Sequence, residues 1–252
     1  MSYTTFSTSN SLDADFGSTY TLPISMVCWI KVPAATWDIT SGKYIMHFND
    51  EAFGTGSTSN SIWTNITPGV ANRVNCQTQG PSAGNTSPYT HDGISFDNRW
   101  VPFVGVHGAT TDGAQSYLED SSNAGTFGGA DRFVVEAYRY LRIGANTHAG
   151  FNEADDGVLI AEVALFNKLL TTSEVDALST SSQTGPAPWT VAPSNCLAYW
   201  SLNSDQSTHA IEYGSESGFT LDERGTVEYA TDHPTIVSGT GHIVYPPTGP
   251  WR

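Results

Sequence analysis

Residues 157–178 read "GVLIAEVALFNKLLTTSEVDAL" and form the most strongly patterned stretch of the chain. The first part of this stretch, residues 158–166, is apolar on both faces apart from Glu162. Such a strand is typically buried on both sides, because neither face presents a row of polar side chains to water. We therefore expect this stretch to close a layered β structure and to carry no active site.

A short helix is predicted directly after this strand. Thr171 stands three residues before Glu174, which is the spacing of a capping box at the start of a helix. Val175 and Leu178 follow at helical spacing and indicate one apolar side. A helix of about two turns is marginal alone, so its stability has to come from packing against the rest of the protein.

The rest of the 252-residue chain has the composition of a β protein. Charged residues make up only 14%, and Thr, Ser, Asn and Gly take the exposed places that Lys, Glu and Ala fill in helical proteins. Further strands are predicted at residues 24–32, 43–50, 61–66, 71–78, 101–107, 114–119 and 133–145, and a long loop at residues 80–93. Many short strands with one late helix indicate an antiparallel sandwich or jelly roll.

The charge balance disfavours two classes of partner. The formal net charge is −15, with only ten Lys and Arg residues. Affinity for nucleic acid and for anionic membrane surfaces comes from cationic side chains, so we expect neither partner. The N-terminus has no basic and apolar leader, which predicts no signal peptide.

The three cysteines have no motif spacing, and they are Cys28, Cys76 and Cys196. Cys28 and Cys196 stand beside apolar or aromatic neighbours and are predicted to be buried thiols. Together with the missing leader, this usage predicts that the chain folds in a reducing cytoplasm.

Several segments, in chain order, resemble laminin-G-like domains of the concanavalin A-like lectin/glucanase superfamily. They are "PISMVCWIK", the hairpin "RWVPFVGVHGATTDGAQSYLED", "RIGAN" and the stretch quoted first. The hairpin has Pro102 and Phe103 where the family has paired histidines. The resemblance covers about residues 19–178. It implies an all-β fold, a two-sheet antiparallel jelly-roll sandwich of the concanavalin A-like type with one short helix.

The C-terminal part carries a second resemblance. "CLAYWSLNSD" and "SGFTLDERGTVEYATDHP" are similar to an extension found in stand-alone laminin-G-like proteins of bacteriophages and bacteria. We therefore divide the chain into a jelly-roll domain at residues 1–180 and an extension at residues 181–252. The extension is expected to contribute at least one strand near residues 196–202 and to dock on the main domain.

This resemblance implies a non-enzymatic bacteriophage virion protein, assembled in the host cytoplasm. Such a protein decorates or cements the capsid, or forms part of a fibre or knob. Its partners are other virion proteins such as the major capsid protein, and a homo-oligomer is compatible with the role. The Pro-rich end "YPPTGPWR" fits an extended arm or a frayed tail equally well. The alternative is a lectin-like module that binds a host or environmental glycan.

Glycosidase chemistry is the enzymatic alternative, and the carboxylates do not support it. Sandwich glucanases carry Glu-x-Asp-x-x-Glu on one strand, because two carboxylates have to flank the scissile bond. Glu153 and Asp155 fit the first two positions, but Val158 stands in place of the second Glu. Motifs for nucleophilic, nucleotide or redox chemistry are also missing from the sequence. We expect no enzyme, with no catalytic and no cofactor-binding residues.

A calcium ion is a further candidate ligand. Ca²⁺ prefers carboxylate and carbonyl oxygens, and "NEADDG" places Asp155 and Asp156 in an oxygen-rich segment that is as readily a solvated turn. In the family that the chain resembles, a calcium ligand often precedes the glutamate of the closing strand. Here that position is Ala161, which offers no side-chain oxygen, so we expect no metal ligand.

Aromatic side chains are the remaining candidates for a ligand surface. Those in or near polar loops, where a sugar could stack on them, are Trp37, Trp63 and Tyr89. Those in apolar strands, which are predicted to be buried, are Trp29, Trp100 and Trp200. His47 and His107 also lie on apolar strands and are expected to be core or sheet-surface residues, since no three histidines have the spacing of a zinc site.

Overall fold

The computed structural model describes residues 2–4, 10–33, 43–50, 61–67, 73–79, 89–91, 98–108, 115–127, 138–145, 158–180, 183–203, 208–216, 219–225 and 227–237. Within these residues, two large antiparallel sheets form a sandwich, and one short α-helix packs on the outside of it. The described residues therefore form an all-β, two-sheet antiparallel jelly-roll sandwich with one short helix, which confirms the predicted fold class.

The described elements, in chain order, are β1 (Ser2–Thr4), β2 (Ser11–Tyr20), β3 (Ile24–Lys31), β4 (Lys43–Asn49), β5 (Ser61–Thr67), β6 (Arg73–Gln79), β7 (Tyr89–His91), β8 (Trp100–His107), β9 (Gln115–Leu118), β10 (Asp120–Ala124), β11 (Thr126–Phe127), β12 (Tyr138–Ile143), β13 (Leu159–Phe166), α1 (Thr172–Asp176), β14 (Thr184–Gly185), β15 (Cys196–Trp200), β16 (Thr208–Ala210), β17 (Thr220–Arg224), β18 (Glu228–Ala230) and β19 (Thr235–Ile236). Two short 3-10 turns, Pro188–Val191 and Pro193–Asn195, precede β15.

One sheet of eight strands has the order β10–β9–β8–β3–β13–β1–β18, and β15 also pairs with β13. The other sheet has nine strands in the order β11–β7–β6–β5–β4–β12–β2–β17–β16. A separate two-stranded parallel pair is formed by β14 and β19. The two large sheets pack through their inner faces, where Phe16, Phe48 and Trp200 make edge-to-face contacts at the centre of the core.

The outer face of the eight-stranded sheet is covered as well. Val27 and Phe166 pack there against Leu178 and the 3-10 turn that carries Trp189. Trp29 and Trp100 form a neighbouring buried group on the same sheet. Both faces of β3, β8 and β13 are largely removed from water, and these strands are correspondingly rich in apolar residues. For β13 this agrees with the sequence pattern.

The helix begins as the sequence indicates. The Thr171 hydroxyl accepts from the backbone of Glu174, and the Glu174 side chain accepts from the Thr171 backbone, which completes the predicted capping box. Val175 and Leu178 are both buried against the sheet, as predicted. The helix has only five residues, shorter than the predicted two turns. It ends early because the Leu178 N–H donates to Val175, which tightens the last turn.

Several described strands are absent from the sequence prediction, and β7 and β2 show why. Residues 80–93 are predicted as a loop, yet β7 lies within them and pairs with both β6 and β11. β2 is absent from the prediction because its aspartates disfavour strands. Cross-strand partners on β12 and β17 outweigh that preference, since β2 lies between them. In both cases sheet pairing overrides local propensity.

The described part of the C-terminal extension joins both sheets. β15 is the strand near residues 196–202, and it pairs with β13. β18 pairs with β1 in the same sheet, and β17 pairs with β2 in the nine-stranded sheet. Among the described residues, no helix has the length and apolar character needed to cross a membrane.

Candidate functional site

The outward face of the nine-stranded sheet is polar, and we refer to it below as the polar face. Along β12, Leu141 and Ile143 point into the core, so Tyr140 and Arg142 lie on the opposite side. The same alternation holds in the neighbouring strands, apart from irregularities near Met46 in β4 and near Tyr138 in β12. The described residues on the polar face are therefore the candidates for contact with a ligand.

The strand register aligns these residues in rows that cross the sheet. The first row contains Gln77, Trp63, His47, Arg142, Asp13 and Asp222, on β6, β5, β4, β12, β2 and β17 in turn. The second row contains Gln79, Ser61, Asn49, Tyr140 and Asp15. Among the residues in these rows whose side chains the structure describes, amide, imidazole, guanidinium and carboxylate groups lie on the same face as Tyr140.

Arg142 is the buried anchor of the first row. Its Nε and Nη2 donate to the two carboxylate oxygens of Asp13, both at 2.7 Å. The Arg142 side chain is 3% exposed and that of Asp13 is 12% exposed. Ser11 Oγ donates a further hydrogen bond of 2.8 Å to Asp13 Oδ1. Bidentate, charge-assisted pairs of this kind are strong and hold both groups in one orientation.

A second bidentate pair flanks Tyr140. Arg139 Nε and Nη2 donate to the two oxygens of Asp15, at 2.6 and 2.9 Å. The hydrogen bond from Arg139 is the main reason that the pKa of Asp15 lies below its usual value, and the Gly17 N–H adds to this effect. The Arg139 guanidinium also lies 5.0 Å from the centre of the half-buried Tyr140 ring. The ring and its neighbours are therefore pre-positioned.

Buried amide and imidazole groups lie beside these pairs. His47, Asn49, Asn65 and Asn75 are all buried although they lie on the polar face. Asn65 Oδ1 has no hydrogen-bond partner among the described residues. Buried polar groups are usually hydrogen-bonded, and His47, Asn49 and Asn75 all have interaction partners within the chain.

Two of the aromatic residues proposed from the sequence as ligand contacts lie on this sheet, at different register positions. Trp63 holds the register position between His47 and Gln77, within the first row. Tyr89 is the register partner of Cys76, whose side chain belongs to the core between the sheets. The remaining candidates lie outside the described residues, and they are Trp37, Asp155, Asp156 and the Pro-rich C-terminal segment.

The other sequence predictions for single residues agree with the structure. Trp29, Trp100 and Trp200 are buried, and so are Cys28 and Cys196, as thiols without a disulfide. Cys76, for which the sequence made no burial prediction, is a buried free thiol as well. Burial raises the pKa of Cys76 well above its usual value and lowers the pKa of the adjacent His107 to about 3. The two groups, 3.2 Å apart, are therefore neutral, and this pair provides no thiolate nucleophile. Among the described residues, no group of three His, Cys, Asp or Glu side chains could hold a metal ion.

A second polar cluster surrounds Glu162, away from the polar face. Glu162 is 1% exposed and has a φ of 54° at an irregularity in β13. The Tyr199 hydroxyl donates to Glu162 Oε2 at 2.6 Å, and His233 Nε2 lies 3.1 Å from Oε1. Next to His233, Asp232 accepts from Lys31 and from Trp100 Nε1. This cluster fastens the end of the described extension to the closing strand.

The sequence prediction did not identify the central residues of the polar face. One signal was available, since "SLDADF" at the start of β2 alternates apolar and acidic residues and "YRYLRI" on β12 alternates in a similar way. Such alternation is typical of a strand with one polar face. The pairing of the two strands, which brings Asp13 to Arg142, is not readable from either segment alone.

No protein-family model matches the chain, and no curated protein matches it by sequence. Solved structures with a similar fold include a heptameric SAP-like pentraxin from Limulus polyphemus. It is 16% identical with a TM-score of 0.49, over 91% of this chain and 94% of the pentraxin. The CBM40 domain of the Ruminococcus gnavus IT-sialidase, bound to α2,3-sialyllactose, is 9% identical with a TM-score of 0.47, over 64% and 84% of the two chains. Domains LG4-5 of the mouse laminin α1 chain are 11% identical with a TM-score of 0.47, over 72% and 44%. At these identities the likeness concerns the fold alone.

Proposed function

We propose that this chain is a non-enzymatic carbohydrate-binding protein that holds a glycan on the polar face. The observation that carries the proposal is the band of rigid polar groups across β6, β5, β4, β12, β2 and β17, in which two bidentate Arg–Asp pairs flank Tyr140. Arg142, His47 and Asn49 are buried, so a ligand would contact the more exposed residues of this face. These are Tyr140, Gln77, Asp15 and Asp222.

The chemistry of the band suits sugar hydroxyls. Each hydroxyl is both a donor and an acceptor, and carboxylate, amide and guanidinium groups complement neighbouring hydroxyls in pairs. Asp13 and Asp15 are already held in place by arginines, so little side-chain entropy is lost when a ligand binds. The Tyr140 ring offers an apolar surface for the C–H face of a sugar. Trp63 lies two strands away, about 10 Å along the sheet at the spacing of neighbouring strands.

The test is a glycan array followed by calorimetry on the best-bound oligosaccharide. We expect Tyr140→Ala to weaken its binding at least tenfold, because the variant removes the half-buried ring and leaves the ion pairs in place. Trp63→Ala is expected to act in the same direction.

Tyr213→Ala is the matched control for this experiment. Tyr213 is 37% exposed and stacks on Trp189, which packs on the eight-stranded sheet. Its removal should leave glycan affinity unchanged. The proposal is refuted if no oligosaccharide binds, or if Tyr213→Ala abolishes binding while Tyr140→Ala has no effect.

We propose, as a second and compatible role, that the chain is carried on a bacteriophage particle beside the major capsid protein. The resemblance of its C-terminal extension supports this role, and the three buried free thiols fit assembly in a reducing compartment. Quantitative mass spectrometry of purified particles should then find the chain in a fixed ratio to the capsid protein. Particles that contain only trace amounts of it would count against the role.

A further inference from the structure

We infer that the glycan bound on the polar face is neutral, and that sugars bearing carboxylate, sulfate or phosphate groups are disfavoured there. This inference rests on the proposed function. The observation behind it is that the two arginines at the centre of the polar face already have carboxylate partners within the protein.

Arg142 is closed to an acidic ligand by its geometry. Two of its nitrogens donate to Asp13, and only 3% of its side chain is exposed. To reach this guanidinium, an incoming anion would have to displace Asp13, which Ser11 also holds by a hydrogen bond. Displacement would leave a buried carboxylate without its cation, which is strongly unfavourable.

Arg139 is more exposed, but it is neutralised in the same way. Two of its nitrogens donate to the two Asp15 oxygens, at 2.6 and 2.9 Å, and the hydrogen bond from Arg139 lowers the pKa of Asp15. An acidic sugar would therefore compete with a partner that is tethered in place. Tethering gives the internal carboxylate an effective concentration that a dissolved ligand does not match.

The remaining charges on this part of the polar face also disfavour the binding of acidic sugars. Asp222 is exposed and is the register partner of Asp13, so three carboxylates lie on β2 and β17 beside the two paired arginines. Arg224 is exposed at the end of β17, opposite Ser11, and makes no ion pair within the described residues. Arg73, at the end of β6, is partly exposed on the far side of the sheet. The net charge of −15 further repels anions at long range.

Neutral sugars can form hydrogen bonds with the same carboxylates that repel acidic sugars. Their hydroxyls donate hydrogen bonds, and ionised carboxylates accept them without any change in charge. Asp13, Asp15 and Asp222 thus supply acceptors on the neighbouring strands β2 and β17, and the hydroxyls of an uncharged polyol can donate to them. The arrangement that excludes an acidic ligand is also the one that orients a neutral ligand.

The experiment compares matched pairs of oligosaccharides, lactose with α2,3-sialyllactose and neutral array glycans with their sulfated and uronic-acid forms. At 50 mM salt, each acidic form is expected to bind at least tenfold more weakly than its neutral parent. This difference in affinity between acidic and neutral forms should become smaller at 500 mM salt, because screening weakens repulsion between exposed charges.

Two variants locate the effect. Asp222→Asn is expected to reduce the difference in affinity between acidic and neutral oligosaccharides, because it removes an exposed carboxylate from the polar face. Asp120→Asn is the matched control, since Asp120 accepts a hydrogen bond from the Ser122 hydroxyl much as Asp222 does from Thr220, but it lies on β10 in the other sheet. This control should leave the difference in affinity between acidic and neutral oligosaccharides unchanged.

The outcomes separate this inference from the proposed function. Acidic forms that bind as well as or better than neutral ones, with Tyr140→Ala still abolishing binding, would overturn the inference alone. Acid binding that is lost in Arg224→Ala would identify the cation responsible. Absence of binding to every member of the pairs and of the array would overturn the proposed function itself.

Discussion

Replacing Gly185 with alanine is expected to lower the free energy of unfolding by about 3 kcal/mol, the upper end of the usual cost of overpacking. A Cβ at this position would lie 1.9 Å from the carbonyl oxygen of Leu178 and 2.7 Å from Cζ2 of Trp29. Neither neighbour can move easily, because Leu178 ends the helical segment under the 3-10 turn and Trp29 is fully buried. The cost therefore comes from a clash with backbone and with a fixed ring.

Urea unfolding followed by tryptophan fluorescence measures this effect. Thr184→Ala is the matched control, since it changes the adjacent, half-buried residue of β14 without adding volume, and its effect should stay below about 0.5 kcal/mol. A Gly185→Ala protein as stable as the control would show that residues 183–185 do not pack against the sheet as described.

The second large effect is expected at Glu162, where substitution by alanine should cost about 3 kcal/mol. Its carboxylate accepts from the Tyr199 hydroxyl and lies against His233. Glu162 and Tyr199 are buried, and the His233 side chain is 17% exposed. Removing the acceptor leaves a buried hydroxyl without its partner and releases the end of the extension. Glu162→Gln should cost less, because the amide oxygen still accepts one hydrogen bond.

Glu119→Ala is the control for this experiment. Glu119 is a second glutamate with positive φ, at 74°, and it pairs with Arg99 at a half-exposed site. Its backbone conformation is therefore matched, but the loss should be at most about 1 kcal/mol, as is usual for exposed ion pairs. Equal losses for the two alanine variants would show that the buried network around Glu162 contributes no more than a surface pair.

A double-mutant cycle assigns the stabilisation within this cluster. Tyr199→Phe removes the hydroxyl that donates to Glu162 and leaves the ring in place. If the hydrogen bond carries the effect, the two changes are not additive, and their coupling energy lies between about 0.5 and 3 kcal/mol.

The sequence by itself determined the features that depend on neighbouring residues. The capping box at Thr171 follows from the spacing to Glu174 and from the chemistry of a helix start. The apolar character of residues 158–166 on both faces indicated a strand covered on both sides. The burial of Trp29, Trp100, Trp200, Cys28 and Cys196 followed from their apolar neighbours. These are local signals, and they were sufficient for the all-β sandwich.

Only the tertiary structure decided which polar residues meet. Asp13 and Arg142 are 129 positions apart, and Tyr199 lies 37 positions from Glu162. Their contacts depend on which strands are neighbours and on the exact pairing register, since a shift by one residue would move every side chain to the other face of the sheet. Register is set by the whole set of paired strands, including those that local propensity disfavours, such as β2. For this reason the polar face is a property of the assembled sheet, and no single segment of the sequence specifies it.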